Sequence, residues 1–451
     1  MEKSQENTGE RISFASAVSA LAAIIAVCAF SLFFFEDRLL ARAFLVAGVC
    51  LSLWLTEVVP PYVPTFILWA LAALLLAPLS PGFSLAHILR WSADPVLLLF
   101  FGGFAFAVAA KKYGIDALIA NKAVALAHGR AARLLIMTAF ATALMSMWMS
   151  NIAAAAMMIA ALAPLVSGIE LAPSTKKALY LAVAVGANFG GIATPIGTGP
   201  NAIAISALAS QRTITFSEWM TFSLPLALGL ILLGVAYLVI VYKVKGKIDG
   251  RHLAQPEITP KGKLVMLIFC ATIAVWLAEP LHGISSFVVA LLAAIALFGA
   301  GLLGRKDLNS IDWGTMALIA GGVGLGRLLE ASHLVKIWAD GIAWDSLSPV
   351  VQVFALCLAC ATLSALLSNT ATATMLIPLA SGLMPDPKIA VLVAISASLG
   401  TPFVISTPIN IMVHGKEGVR AKDLFWLGFP LMILGCLLLA FTGRYFLSFW
   451  L

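Results

Sequence analysis

The sequence predicts an all-α polytopic membrane protein of two inverted-topology repeats, with about 11 transmembrane helices and two re-entrant hairpins. Three observations carry that expectation. Of the 451 residues, 61% are hydrophobic and only 11% charged, with a mean hydropathy of +1.02, whereas a soluble chain carries roughly a quarter charged residues. Many apolar runs approach the ~20 residues that cross a bilayer as helix. Landmarks of the first half recur in the second at nearly constant separation: Ser146 to Ser364 is 218 positions, Gly102 to Gly321 is 219 and Trp54 to Trp276 is 222.

The elements follow in order. A polar start (Glu2, Lys3, Glu6, Glu10, Arg11) precedes an apolar run over residues 12–35. That run is long for a signal-peptide core and has no clear small-residue cleavage site, so it reads as an uncleaved first span. Residues 43–59, 64–79 and 95–110 make three more spans, the last containing Gly102-Gly103 and stopping at Lys111-Lys112. Residues 134–165 are apolar but broken by Ser150-Asn151. One straight helix over them would be about 48 Å long, so a hairpin entering and leaving on one side fits better. Residues 178–208 are interrupted by Gly, Pro and Asn, and unwound backbone survives in a membrane only beside protein or a wet cavity. Residues 222–242 close the first half, before the polar stretch 243–263.

The second half repeats the plan. Its spans are 265–278, 287–303 and 313–329; a hairpin over 350–383 is split at Ser368-Asn369-Thr370, a second broken helix covers 389–413, and 425–449 is the last helix. With the N-terminus cytoplasmic and the hairpins re-entrant, only eight of the 28 Lys and Arg lie outside: Arg38, Arg42, Arg90, Arg212, Arg327, Lys336, Lys388 and Arg444. The positive-inside rule favours this topology, with the C-terminus outside. The net charge of +7 is scattered through short loops and sets orientation; it is no nucleic-acid footprint. Cys357-Leu-Ala-Cys360 lacks further ligands or a redox context and reads as core packing. Glu57 and Glu279, at matching repeat positions, read as interfacial anchors, and His414 as a loop residue.

The chemistry lies in the interruptions. Ser-x-x-x-Ser-Asn occurs twice, as Ser146, Ser150, Asn151 and as Ser364, Ser368, Asn369. A lone Ser or Thr in a membrane helix usually bonds back to the carbonyl one turn earlier; a duplicated cluster with Asn at the same place asks for more. A re-entrant hairpin offers free carbonyls where its first half ends, which favour a cation, and free N–H groups where its second half begins, which favour an anion. Hydroxyl, amide and carbonyl oxygens suit sodium. Cation and anion then support each other, as coupled transport requires. Paired interrupted segments at corresponding positions point to a transporter with its site at the repeat interface.

These tips, the Thr-Glu-x-x-Pro that begins at Thr56, and the two broken helices resemble the divalent anion/sodium symporter family over essentially the whole chain. The resemblance implies an elevator-type transporter, no enzyme. Its scaffold would be residues 1–112 and 245–332 and its moving transport domain 113–244 and 333–451, in a homodimer surrounded by membrane lipid. It implies sodium at Ser146, Ser150, Asn151 and Gly197, and again at Ser364, Ser368, Asn369 and Ser406. Substrate contacts would come from Asn151, Thr198, Asn369, Thr370, Thr407 and Pro408, with Ile152 at the same face. The partners would be a small anion, a di- or tricarboxylate, and co-transported sodium, with no organic cofactor. Two residues depart from the family pattern: Ile152 stands where Thr is usual, and Gly199 where a Pro is usual. The alternatives are a sodium-independent exchanger, a proton-coupled permease, or a permease for sulfate or another oxyanion on the same scaffold. A channel or a membrane-embedded enzyme fits less well, because the six histidines are dispersed and the tips are neutral.

Overall fold

The structure, a computed structural model, describes residues 14–56, 58–168, 171–209, 211–246, 258–334, 337, 347–384 and 386–448. Every regular element among them is helical. The first half comprises α1 (Phe14–Phe34), α2 (Arg38–Thr56), α3 (Val63–Leu75), α4 (Leu85–Ser92), α5 (Val96–Lys112) and α6 (Ile115–Leu126). It continues with α7 (Ala131–Ser146), α8 (Asn151–Gly168), α9 (Pro173–Gly190), α10 (Gly199–Leu208) and α11 (Phe216–Val241). The second half opens with α12 (Pro260–Leu277), α13 (Glu279–His282), α14 (Ser286–Gly299), α15 (Arg305–Asn309) and α16 (Trp313–Ala331). It ends with α17 (Pro349–Leu366), α18 (Asn369–Leu383), α19 (Lys388–Ala397), α20 (Pro408–Val413), α21 (Ala421–Leu438) and α22 (Arg444–Leu447).

Both expected breaks fall where polar residues interrupt the apolar runs. Five described helical stretches are long and apolar enough to cross a membrane outright: Arg38–Thr56, Phe216–Val241, Pro260–Leu277, Pro349–Leu366 and Ala421–Gly443. Several other expected crossings rest on shorter apolar helices, among them α3, α14 and α19. The 13-residue α3 rises only about 20 Å. Several boundaries differ from the sequence reading: the helix expected from residue 265 begins at Pro260, and the one expected to run to residue 79 ends at Leu75. The helix expected from residue 222 begins at Phe216, because Thr215 and Glu218 form a reciprocal capping box: the Thr215 hydroxyl accepts from Glu218 N–H, and the Glu218 carboxylate accepts from Thr215 N–H at 2.8 Å. Helix α4 was not expected; its eight residues are too few and too mixed to register as a span.

Contacts divide the chain into two units. The first takes residues 1–94 with 313–342. Within it α2 packs on α1 and α3, and α16 packs on α3 and α4. The Gly321 landmark is a close approach: a Cβ there would collide with the Thr65 hydroxyl, which donates to Ala317 O at 2.9 Å. Trp54 Nε1–H donates to Pro61 O, pinning the turn after α2.

The second unit takes residues 95–312 with 343–451. Here Gly102 lets α5 lie against α14, where a Cβ would come within 2.7 Å of Ala290 O. Trp276 does what Trp54 does, its Nε1–H donating to Ser286 O at 3.0 Å. Glu279 is buried and fully engaged: its carboxylate accepts from Phe216 N–H and Ser286 N–H, both at 3.0 Å, capping α11 and α14 together. Its repeat partner Glu57 lies outside the described residues. Cys357 and Cys360 are buried in helix packing, as expected.

Candidate functional site

The two hairpins are α7–α8 and α17–α18, each turning within a few residues at its Ser-Asn tip. Ser150 and Ser368 begin the outgoing helices: their hydroxyls accept from Ala153 N–H at 3.2 Å and Ala371 N–H at 3.4 Å. Deeper in each tip three oxygens gather. Ser146 Oγ lies 2.6 Å from Asn151 Oδ1 and 2.7 Å from Ala187 O. Ser364 Oγ lies 2.7 Å from Asn369 Oδ1 and 2.5 Å from Ala397 O. A serine has one proton, so it satisfies one of these two acceptors at a time. Both serines are fully buried. Each tip therefore concentrates lone pairs in a place with little water, which is the chemistry of a cation site.

The broken helices complete the tips. After α9 the chain passes through a 3-10 turn, Gly191–Ala193, and restarts at α10; after α19 it passes through Val404–Ser406 and restarts at α20. The residues before the restarts have nearly the same backbone, with φ −143°, ψ 153° at Thr198 and φ −144°, ψ 147° at Thr407. An Asn on the first turn of each restart holds its own break. Asn201 Nδ2 donates to Gly191 O at 3.1 Å and Thr194 O at 2.8 Å. Asn410 Nδ2 donates to Thr401 O at 2.9 Å and Phe403 O at 2.8 Å. Those carbonyls would otherwise be orphaned in an apolar setting.

Each break is tied to the tip of its own hairpin. Ser406 Oγ donates to Ala365 O at 2.8 Å, and Thr194 Oγ1 donates to Met147 O at 2.5 Å. Thr194, which joins the first break to its tip, is absent from the expected site residues. It lies within the interrupted stretch 178–208, and Gly197, the assigned counterpart of Ser406, has no side chain for this bond. Gly197 instead meets Gly191 backbone to backbone, in a space that admits no side chain at either position.

The outgoing hairpin helices pack across the repeats: α8 on α20, and α18 on α10. This brings Thr370, an expected substrate residue, to the start of α10. Thr370 lies against Gly199, where a Cβ would come within 2.5 Å of the Thr370 hydroxyl. Of the two departures from the expected pattern, Ile152 sits on the exposed rim of its tip, whereas Gly199 is half-buried at the start of α10. Ile152 is 48% exposed and Pro408 is exposed, while Asn151, Asn369 and Thr370 are half-buried. Thr407 caps α20 by accepting from Asn410 N–H at 3.1 Å. The Thr198 hydroxyl is buried and bonds to nothing in the protein.

The tips differ in how they are seated. Trp148, in the first tip, stacks on Trp276 (6.2 Å between ring centres, 1° between planes) and on Phe216 (5.9 Å, 5°). Its repeat counterpart Leu366 is 53% exposed.

Comparison with known proteins gives the family. The profile of the citrate transporter family (CitMHS) matches residues 53–392 and 279–450. The chain belongs to this family. Its kinship with the divalent anion/sodium symporters is confirmed by the relatives it matches. It is similar to an uncharacterized transporter of Haemophilus influenzae, 33% identical over 92% of this chain and 93% of that one. It is similar to the inorganic phosphate transporter PHO87 of Saccharomyces cerevisiae, 26% identical over 81% of this chain but only 41% of that longer protein. It is also similar to the sodium-dependent dicarboxylate transporter SdcS of Staphylococcus saprophyticus, 24% identical over 88% of this chain and 85% of that one. Among solved structures, the Alcanivorax borkumensis YdaH transporter shares the fold with a TM-score of 0.58 at 17% identity, over 78% of this chain and 85% of that one. This member of the citrate transporter family is an integral membrane transporter, and its relatives are transporters rather than enzymes.

Proposed function

We propose that this transporter moves a small carboxylate, a di- or tricarboxylate, across the cytoplasmic membrane together with sodium. The observation that carries the reading is the pair of buried oxygen triads, Ser146–Asn151–Ala187 and Ser364–Asn369–Ala397. In each, two acceptors compete for one proton, and a monovalent cation relieves the competition. Sodium at the triads then leaves a positive field beside the N–H groups that open α8, α18 and α10, where a carboxylate binds. Ser150, Gly197, Ser368 and Ser406 complete the sodium shells through backbone and side-chain oxygens. Asn151, Thr198, Asn369, Thr370, Thr407 and Pro408 face the anion, with Ile152 setting an apolar edge. The similarity to a sodium-dependent dicarboxylate transporter supports this assignment. Residues 113–244 and 333–451 move as the transport domain of an elevator against a scaffold of 1–112 and 245–332. The protein works as a homodimer with its N-terminus cytoplasmic.

The test is thermal stabilisation of purified protein by a panel of anions, in sodium and in choline, with uptake into proteoliposomes. Stabilisation by a carboxylate only in sodium, weakened in Ser146→Ala and Ser364→Ala, is the expected result. Equal stabilisation in choline, or uptake that needs an internal anion and ignores sodium, sinks the coupling and favours exchange. A second reading has its own support: similarity to an inorganic phosphate transporter, and Ile152, which removes one hydroxyl from the anion face. A tetrahedral oxyanion is then the cargo, and phosphate or sulfate stabilises the protein where dicarboxylates do not.

A further inference from the structure

The two repeats can be matched residue by residue around the breaks. Ala187 and Ala397 take the same part, each offering its carbonyl to a tip serine. The residues that follow them, Asn188 and Ser398, are therefore equivalent. Asn201 and Asn410 are equivalent too, each holding its break through Nδ2.

In one half the equivalents meet directly. Asn188 Nδ2 donates to Asn410 Oδ1 at 3.1 Å, so α9 of the first repeat is bonded to α20 of the second. In the other half α19 packs on α10 in the same crosswise pairing. There the residue in Asn188's place is Ser398, whose side chain is shorter by the reach of an amide. The outcome differs accordingly: neither Ser398 Oγ nor Asn201 Oδ1 has a hydrogen-bond partner, although both residues are buried (2% and 0% exposed). Helix α18 packs on both α10 and α19 and adds two more buried hydroxyls without partners, Thr372 and Thr374. At the register of the hairpin repeat, 218 positions earlier, stand Ala154 and Ala156. Four unpaired polar atoms therefore lie on this side of the pseudo-symmetric joint, at positions whose equivalents are bonded or apolar, against one, the Thr401 hydroxyl, beside the direct Asn188–Asn410 bond.

Buried polar groups are satisfied by protein or by ordered water. Asn201 Oδ1, an amide oxygen, can only accept, and the bonds of Nδ2 to the break fix which way the amide faces, so its partner must bring a proton or a positive charge. The donor set is one amide oxygen and three hydroxyls, with no carboxylate on these segments, and hydroxyls can turn to either donate or accept. We propose that an ordered water molecule bridges Asn201 Oδ1 and Ser398 Oγ, with one of the α18 hydroxyls, Thr372 or Thr374, as a third partner; the two-residue spacing turns the other to a different face of the helix. The repeats are then joined by a direct amide–amide bond at Asn188–Asn410 and by a water-mediated one at Ser398–Asn201. The hydrated joint seats the start of α10, where Gly199 follows Thr198, so it sets the position of the first break against Thr370.

The test is the melting temperature of detergent-solubilised protein for three variants, each in sodium chloride and in choline chloride. Ser398→Ala removes one of the water's partners and should lower Tm by about 2–4 °C, in both salts alike. Ser398→Asn restores the longer side chain, replaces the water with a direct bond and should melt at or above the parent. Asn188→Ser converts the other joint to the hydrated form and should cost no more than Ser398→Ala. An unchanged or raised Tm for Ser398→Ala overturns the proposal, because deleting a hydroxyl that truly bonds to nothing relieves the core. A loss confined to sodium chloride overturns water as the occupant in favour of the ion. If a variant does not fold, a high-resolution map of the parent decides: one ordered density within hydrogen-bond distance of both atoms supports the bridge, and none overturns it.

Discussion

Thr370 and Ile152 hold the same place on the two hairpin tips, and an ethyl group in Ile152 stands where Thr370 has its hydroxyl. Thr370 is seated against Gly199 so closely that a methyl group there would lie within 2.5 Å of its hydroxyl. Gly199→Ala should therefore displace Thr370, with an overpacking cost of about 1–3 kcal/mol. Thr370→Ala in the same chain should recover most of the lost stability. A double-mutant cycle on Tm measures that coupling, and additive effects would show that the two residues do not press on each other. Ile152→Thr supplies the missing hydroxyl at an exposed rim. A hydrogen bond to a charged group contributes about 1.5–3 kcal/mol, so affinity for an anion with an oxygen on that face should rise roughly 10- to 100-fold. An uptake panel identical to the parent's would remove Ile152 from the specificity argument. Both positions were legible as departures from a pattern. Their consequence was not, because the contact between Thr370 and Gly199 joins residues 171 positions apart in sequence.

At the scale of elements, the breaks announced themselves: Ser-Asn twice in apolar runs, and Gly, Pro and Asn within 178–208 and 389–413. What seats each element against its neighbours was hidden. Trp148 looked like one more apolar residue, yet its ring stacks on Trp276 and Phe216 and fixes the first tip, while Leu366 in the second tip is exposed. Trp148→Ala should thus cost about 3–5 kcal/mol, as for other large buried aromatics, and Leu366→Ala within about 0.5 kcal/mol. Comparable losses would mean that both tips are equally seated. The buried Glu279, expected to be an anchor, ties two helix starts together through backbone N–H groups that no sequence pattern reveals. A weaker tie lies at the end of α5, where Lys112 Nζ donates to Asp307 on α15 at 2.6 Å. The hydrogen bond from Lys112 holds the Asp307 carboxyl below its ordinary value. The lowered folded-state pKa means that this contribution is present above the unfolded carboxylate value, about 3.9, and is lost as pH falls through the folded one. Asp307→Asn should accordingly lower Tm slightly at neutral pH, and the gap from the parent should close as the buffer is acidified. A gap that stays constant would assign the effect to something other than this ion pair. High salt should shrink it at neutral pH, since the pair is partly exposed.

For the whole molecule, the repeat was the most legible feature, because its landmarks perform the same tasks in both halves. Trp54 and Trp276 each pin the turn after a helix, Gly102 and Gly321 each permit a close approach, and Ser146 and Ser364 each bond the helix beside them. The number of crossings was less legible, because several helices are too short to register as spans on their own. Orientation joins these two levels, since re-entrant hairpins and full crossings assign the charged loops to opposite sides. With both hairpins re-entrant, Arg212 falls outside and Arg305 inside, and both are exposed. In a background with the exposed Cys270 replaced, Arg212→Cys should react with a membrane-impermeant maleimide on intact cells, and Arg305→Cys only after the cells are opened. If the first hairpin crossed fully, the loops after it would change sides: Arg212→Cys would be protected, the inverted repeat would lose its topological basis, and the paired sodium tips could no longer be related by it. Labelling at these two sites therefore tests the frame on which the transport proposal rests, independently of what is carried.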